Sequence, residues 1–191
     1  MKHYKIYTTE TASAESLKVL DAIIVRRGFV PNVYAAYGAV SHSLEGFAAL
    51  TSAFGASSLT PPEREIVLLA TSVHNRCSYC VAGHSYYSKE AGLAAEDLAA
   101  TREGRVLFNP KLEALRQFAT ALAARRGREC DAEMNSFLAA GFTQKQALEV
   151  INGVALKTMS NMTANLLDLP LDPPFAPFAW TPSDAESMPT G

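Results

Sequence analysis

The stretch from Thr60 to Gly92 constrains the fold most, because two helices have to start and stop inside it. Thr60-Pro61-Pro62-Glu63 is a capping box with proline at the first helical positions. A helix is expected from Pro61 through the apolar run Ile66 to Ala70 and on to His74, stopping at Asn75. A second helix is expected from near Cys77 to Gly92, a residue suited to the left-handed terminal position.

On that second helix Cys77, Cys80 and His84 are spaced three and four apart, so they share one stripe. If the two helices fold back on each other, a rise of ~1.5 Å per residue brings His84 level with the early turns of the first, where Glu65 sits. A carboxylate beside an imidazole raises its basicity, and an imidazole one turn from Cys80 takes that thiol's proton. Cys77 falls at a helix N-terminus, where unpaired N–H groups and the macrodipole favour a thiolate. The stripe is a candidate redox site.

The spacing alone leaves other readings open. Cys77 and Cys80 with His84 and either His74 or Glu65 is also a zinc-type donor set, and a cysteine pair at a helix start also serves as packing. Glu65 taken alone is an ordinary first-turn carboxylate and gains meaning only through its pairing. Tyr79 is expected as pocket wall, and His42 and His74 as surface or capping residues. Cys130 is expected as a helix-start or surface thiol.

Outside this pair the chain also reads as helices. The first ten residues form a loose arm, and Ser13 opens a helix that stops at Gly28. Pro31 opens a long stretch with Val33, Tyr37, Val40, Leu44, Phe47 and Phe54 at helical spacing, with a break near Ser41-His42-Ser43. Further helices are expected over 94–103, from Pro110 to Arg126, and over 131–140. Thr143-Gln144-Lys145-Gln146 is a second capping box. From it Ala147, Ile151, Val154, Met159, Met162 and Leu166 read as one long apolar face. Nothing reads as a strand, so the fold class is all-α.

Hydrophobic residues make up 48% of 191 positions, enough for one substantial core. The expectation is a single-domain helical bundle over 1–191, with its core at 14–168 and the redox helix pair at 60–92. A Pro-rich extended tail occupies 169–191, with Phe175, Phe178 and Trp180 too apolar to hang free. A net charge of −2 carries no basic footprint for nucleic acid. The residues from Met1 to Lys5 lack a signal-like apolar run, and no stretch reaches ~18 apolar residues. With three cysteines and no disulfide-scaffold pattern, a soluble cytoplasmic protein without membrane partners is expected. No nucleotide or flavin fingerprint is present, so no cofactor is expected.

Glu65, Cys77-x-x-Cys80 and His84 at these spacings resemble the carboxymuconolactone decarboxylase superfamily, in particular its alkylhydroperoxidase D-like branch. Gly28-Phe29-Val30-Pro31-Asn32 is similar to the segment preceding that family's core. The resemblance implies an all-helical trimer or hexamer that reduces hydrogen or organic peroxides through the cysteine pair. It implies Cys80 as peroxidatic thiol, Cys77 as proton donor and resolving partner, and His84 with Glu65 as proton relay. Electrons would come from a dithiol or a protein thiol. Tyr79 stands where the best-characterised members carry histidine. A decarboxylase or lactone-processing enzyme, and a non-enzymatic redox sensor or zinc-binding protein, are the competing expectations.

Overall fold

The computed structural model describes residues 5–182. The end of the expected tail, 183–191, and the part of the N-terminal arm at 1–4 lie outside the described residues. Helices run in the order α1 (Ala14–Arg27), α2 (Asn32–Ala35), α3 (Ser41–Gly55), α4 (Pro61–His74), α5 (Ser78–Glu90), α6 (Ala95–Arg102), α7 (Pro110–Arg125), α8 (Asp131–Ala139) and α9 (Gln144–Leu167). A 3₁₀ helix, Pro173–Phe178, follows. The fold is all-α, and no strand occurs among the described residues.

The capping signals act as read. Thr60 accepts from the Glu63 amide while the Glu63 carboxylate accepts from the Thr60 amide at 2.8 Å, and Thr143 and Gln146 do the same for α9. Each box satisfies two N–H groups that the helix itself leaves open. Gly28 ends α1 at φ 79°, where a side chain would be strained.

The expected helix from Pro31 is two helices. Its break comes at residues 36–40, ahead of Ser41, because α2 closes after one turn and α3 begins afresh at Ser41.

Helix α4 is the centre of the bundle, packed against α5, α6, α7 and α9. Ile66 through Ser72 are all buried, so this helix meets protein on every side. Its buried hydroxyls, on Thr71 and Ser72, donate to the carbonyls of Val67 and Leu68 and leave no orphaned polar group. After Asn75, Arg76 takes a left-handed conformation at φ 52° and Cys77 donates its amide to Ser72 at 3.0 Å. This tight turn folds α5 back along α4 and brings Glu65 to His84.

Helix α9 is rotated from the expected face. Ala147 and Val154 point inward, but Ile151 is exposed and Met162 and Leu166 are 67% and 65% exposed. The buried stripe instead runs through Val150, Gly153, Leu156, Lys157, Ser160, Asn161 and Ala164. Gly153 sets this rotation, since a Cβ there would lie 2.7 Å from both Phe54 and Val67. Two apolar ridges compete on this helix, and the one containing glycine lets α9 approach most closely.

The tail lies across the chain's own surface, over α5. Phe175 packs on Gly83, where a Cβ would meet its ring at 3.1 Å. Arg102 donates to the carbonyls of Phe178 and Ala179, each at 3.0 Å, and Trp180 donates back to the Arg102 carbonyl. The path is not extended throughout, because the prolines at 173, 174 and 177 fix φ for a 3₁₀ turn.

Leu115 on α7 is fully buried, whereas Val106 is exposed. Leu115→Ala is expected to lower unfolding free energy by about 2–5 kcal/mol, and Val106→Ala to stay within about 0.5 kcal/mol. Urea midpoints of the two variants check this.

Candidate functional site

Three helices converge on the cysteine pair. Cys77 is the N-cap of α5 and Cys80 lies in its first turn, His84 follows one turn later, Glu65 comes from α4, and Lys157 and Ser160 come from α9. Both sulfurs are buried and free, with Cys80 3% exposed.

The polar contacts form a chain. Glu65 Oε2 lies 2.8 Å from His84 Nδ1, and His84 Nε2 lies 2.7 Å from Lys157 Nζ. An ammonium only donates, so His84 Nε2 accepts from Lys157 and Nδ1–H donates to Glu65. That assigns a neutral imidazole. Cys80 Sγ faces Ser160 Oγ at 3.8 Å and hydrogen-bonds the Cys77 thiol.

These surroundings divide the two thiols. Burial works against ionising Cys80, yet the Cys77 hydrogen bond, the Lys157 cation, His84 and Ser160 outweigh it and bring its pKa down to about 5. Cys77 is pushed upward, first because it donates its proton to Cys80 and then by burial. Cys80 is therefore the thiolate and Cys77 the thiol that stabilises it.

Two expectations change here. The helix N-terminus was expected to favour a thiolate at Cys77, but holding a second anion beside Cys80 in a buried site overrides the dipole. Glu65 was expected to raise the basicity of His84, but burial and Lys157 carry its pKa below the usual histidine value. The imidazole nitrogen expected to take the Cys80 proton is engaged by Lys157, so His84 acts on Cys80 through the ammonium it holds in place.

Cys80, His84, Glu65, Lys157 and Tyr79 line a cavity of about 210 Å³. Tyr79 is the expected wall residue, and its hydroxyl is turned to the tail. It donates to Asp172 at 2.5 Å and accepts from the Val33 amide at 3.2 Å. Burial and the Asp172 carboxylate raise the Tyr79 pKa, which keeps it a donor. His42 is exposed on α3, and His74 sits half-buried in the last turn of α4. Cys130 is a helix-start thiol as expected, but it is buried, with its sulfur against the Arg128 carbonyl. Among the described residues no three Cys, His, Asp or Glu side chains are grouped to hold a metal. Both His84 nitrogens are already engaged.

Residues 38–121 match the model of the Carboxymuconolactone decarboxylase family. That segment, which carries Glu65, Cys77, Cys80 and His84, is similar to the carboxymuconolactone decarboxylase superfamily. The fold is similar to that of the alkylhydroperoxidase core of a peroxidase-related protein from Ralstonia eutropha JMP134, at 22% identity and TM-score 0.80. That match covers 90% of this chain and 93% of that one. A peroxidase-related protein from Silicibacter sp. TM1040 is similar at 20% identity and TM-score 0.73, over 91% and 95% of the two chains. The debrominase Bmp8, in complex with 2,3,4-tribromopyrrole, is similar at 14% identity and TM-score 0.74, over 86% and 89%. No curated protein matches the sequence.

The carboxymuconolactone decarboxylase segment ends at 121 and leaves out α9, which supplies Lys157 and Ser160. Sequence reasoning missed both. The available signal was a lysine between Val154, Leu156 and Ser160 in a helix otherwise low in charge, which a packing face does not need.

Because only the thiolate is nucleophilic, alkylation of Cys80 by a haloacetamide is expected to be fast above pH about 5 and to slow as pH falls through that value. Lys157→Met is expected to move the half-point up toward the ordinary thiol range, ~8.5. Rate against pH, with mass mapping of Cys80, measures it; an unmoved half-point would remove Lys157 from the site.

Proposed function

We propose that this protein is a thiol-dependent peroxidase of the carboxymuconolactone decarboxylase superfamily that reduces hydrogen or organic peroxides through Cys80 and Cys77. The supporting observation is an ionised Cys80 on a cavity wall, hydrogen-bonded to a protonated Cys77 and facing Lys157. A decarboxylase has no use for two sulfurs so divided, and a packing pair has no use for the cation.

In this reading the Cys80 thiolate attacks the terminal oxygen of ROOH. The O–O bond breaks, the sulfur is oxidised to sulfenic acid, and the peroxide is reduced to RO⁻. Lys157 Nζ lines the same cavity and protonates the alkoxide, giving ROH. The Cys77 thiol then condenses with the sulfenic acid, forming a disulfide and releasing water. A dithiol donor reduces the disulfide by exchange, and the restored Cys80 thiol returns its proton to Lys157. Glu65 and His84 form the relay behind Lys157, holding its amine toward the sulfur. The cycle converts ROOH and a dithiol into ROH, water and a disulfide. It draws on side chains alone.

No helix among the described residues is long and apolar enough to cross a membrane, and we place the activity in the cytoplasm, where dithiol donors are available. We also propose that the protein is a homo-oligomer, trimer or hexamer. Leu148, Ile151, Met162 and Leu166 form an exposed apolar ridge along α9, and a second copy is the surface that covers it. Leu166→Glu is expected to shift the mass seen by light scattering toward the monomer; a wild-type monomer would count against the assembly.

Cys80→Ser is expected to abolish dithiol-dependent peroxide consumption, and Cys77→Ser to stall after one turnover at the sulfenic acid. Mass mapping of peroxide-treated protein should find a Cys77–Cys80 crosslink with Cys130 free. Sustained turnover by Cys80→Ser would overturn the assignment.

A further inference from the structure

The cavity is larger and more charged than hydrogen peroxide requires. A cavity of about 150 Å³ already admits benzene, so about 210 Å³ fits a substituted ring. Its walls include the aromatic rings of Tyr34, Phe47, Phe54 and Phe175. They also carry Arg26 and Arg27 from the end of α1 and Arg64 from the start of α4. Among the described residues none of these arginines has a carboxylate within 4.0 Å. With Lys157, the cavity sets four cations against one carboxylate, Glu65, which is bonded to His84.

Tyr87 supplies the second observation. It stands one turn beyond His84 on α5, and its ring lies under the Arg27 guanidinium at 4.6 Å. Its hydroxyl is buried and meets no acceptor, because its polar neighbour, the Arg27 guanidinium, can only donate to it. Burial raises the phenol's pKa against the pull of Arg27, so the hydroxyl stays a donor. A buried donor without an acceptor is costly, and a guanidinium beside it supplies the complementary half of a carboxylate site.

We propose that Arg27 and Tyr87 form a carboxylate seat, and that the site's substrates are small organic hydroperoxides bearing an acid group on an aromatic or branched apolar body. The seat and Cys80 are seven positions apart on α5, ~10 Å by helical rise, so the acid and the hydroperoxide occupy opposite ends of one molecule. The hydroperoxide half of this inference rests on the peroxidase reading, and the acid half on the cavity alone. The redox step is the one given above, with the dithiol as reductant.

Two measurements separate the halves. Calorimetry on Cys80→Ser protein compares 4-isopropylbenzoate with 4-isopropylbenzamide, neither of which is a peroxide. The acid is expected to bind about 10- to 100-fold tighter, the range of one charge-assisted hydrogen bond, and to lose that preference in Arg27→Gln and Tyr87→Phe backgrounds. Turnover by the otherwise native protein then compares cumene hydroperoxide with its para-carboxy derivative. The ratio of their kcat/KM values is expected to favour the acid, mainly through KM, and to fall toward one in each variant. A ratio within one variant is insensitive to partial loss of folded protein. Preferential acid binding without peroxide turnover would support the seat and remove the peroxidase reading. Equal turnover of both hydroperoxides with no preference for the benzoate would overturn the seat and leave the peroxidase reading standing.

Discussion

An ammonium group held out of water at the centre of a helical bundle is the constraint on which the site depends. Lys157 is 6% exposed, and a buried cation without a counter-charge is costly. The Cys80 thiolate is the counter-charge, and the two groups stabilise each other's ionised forms. The same pairing explains why Cys77 stays protonated, since a second anion would have no cation left to face.

The fold serves this pair by bringing a third helix unusually close. Gly153 lies one turn before Lys157 and removes the one side chain that would hold α9 away from Phe54 and Val67. The polar groups of the stripe then find partners on α4 and α5. Asn161 accepts from Asn75 at 2.9 Å and donates to Ser72 at 3.3 Å, and Lys157 reaches His84. A row of polar side chains inside an apolar interface is tolerated because each one is satisfied. It also fixes the register of α9, because a shift by one residue would leave several of them unpaired.

Local signals made the helix pair legible in the sequence. The capping box at Thr60, the stop at Asn75 and the spacing of Cys77, Cys80 and His84 act over a few residues, and together they placed Glu65 against His84 before any tertiary contact was known. The charge state of the two thiols was not legible, because it depends on Lys157, 77 positions beyond Cys80. The apolar pattern of α9 also misled for a physical reason. Ile151, Met162 and Leu166 are as hydrophobic as the ridge that turns inward, and only close packing at Gly153 decides between the two. The role of the tail was half legible. Its aromatic residues required a surface, but that Asp172 would hold Tyr79 could not be read from proline spacing.

Burial of both sulfurs also bears on how the proposed cycle is reset. Thiol–disulfide exchange needs a linear approach to one sulfur, and Cys77 has no exposed surface. Behind Cys80 stands Ser160, and the Tyr79 face of the helix is sealed by Asp172 and Phe175, so the approach to Cys80 is through the cavity. A donor compact enough to enter it, or a protein thiol carried on a narrow loop, meets this requirement without disturbing the bundle. A donor presenting its thiols on a flat surface would first have to lift the opening turn of α5, and with it the Cys77 N-cap. Substrate and reductant thus share one entrance and act in sequence, so a cavity that selects the peroxide also restricts the donor.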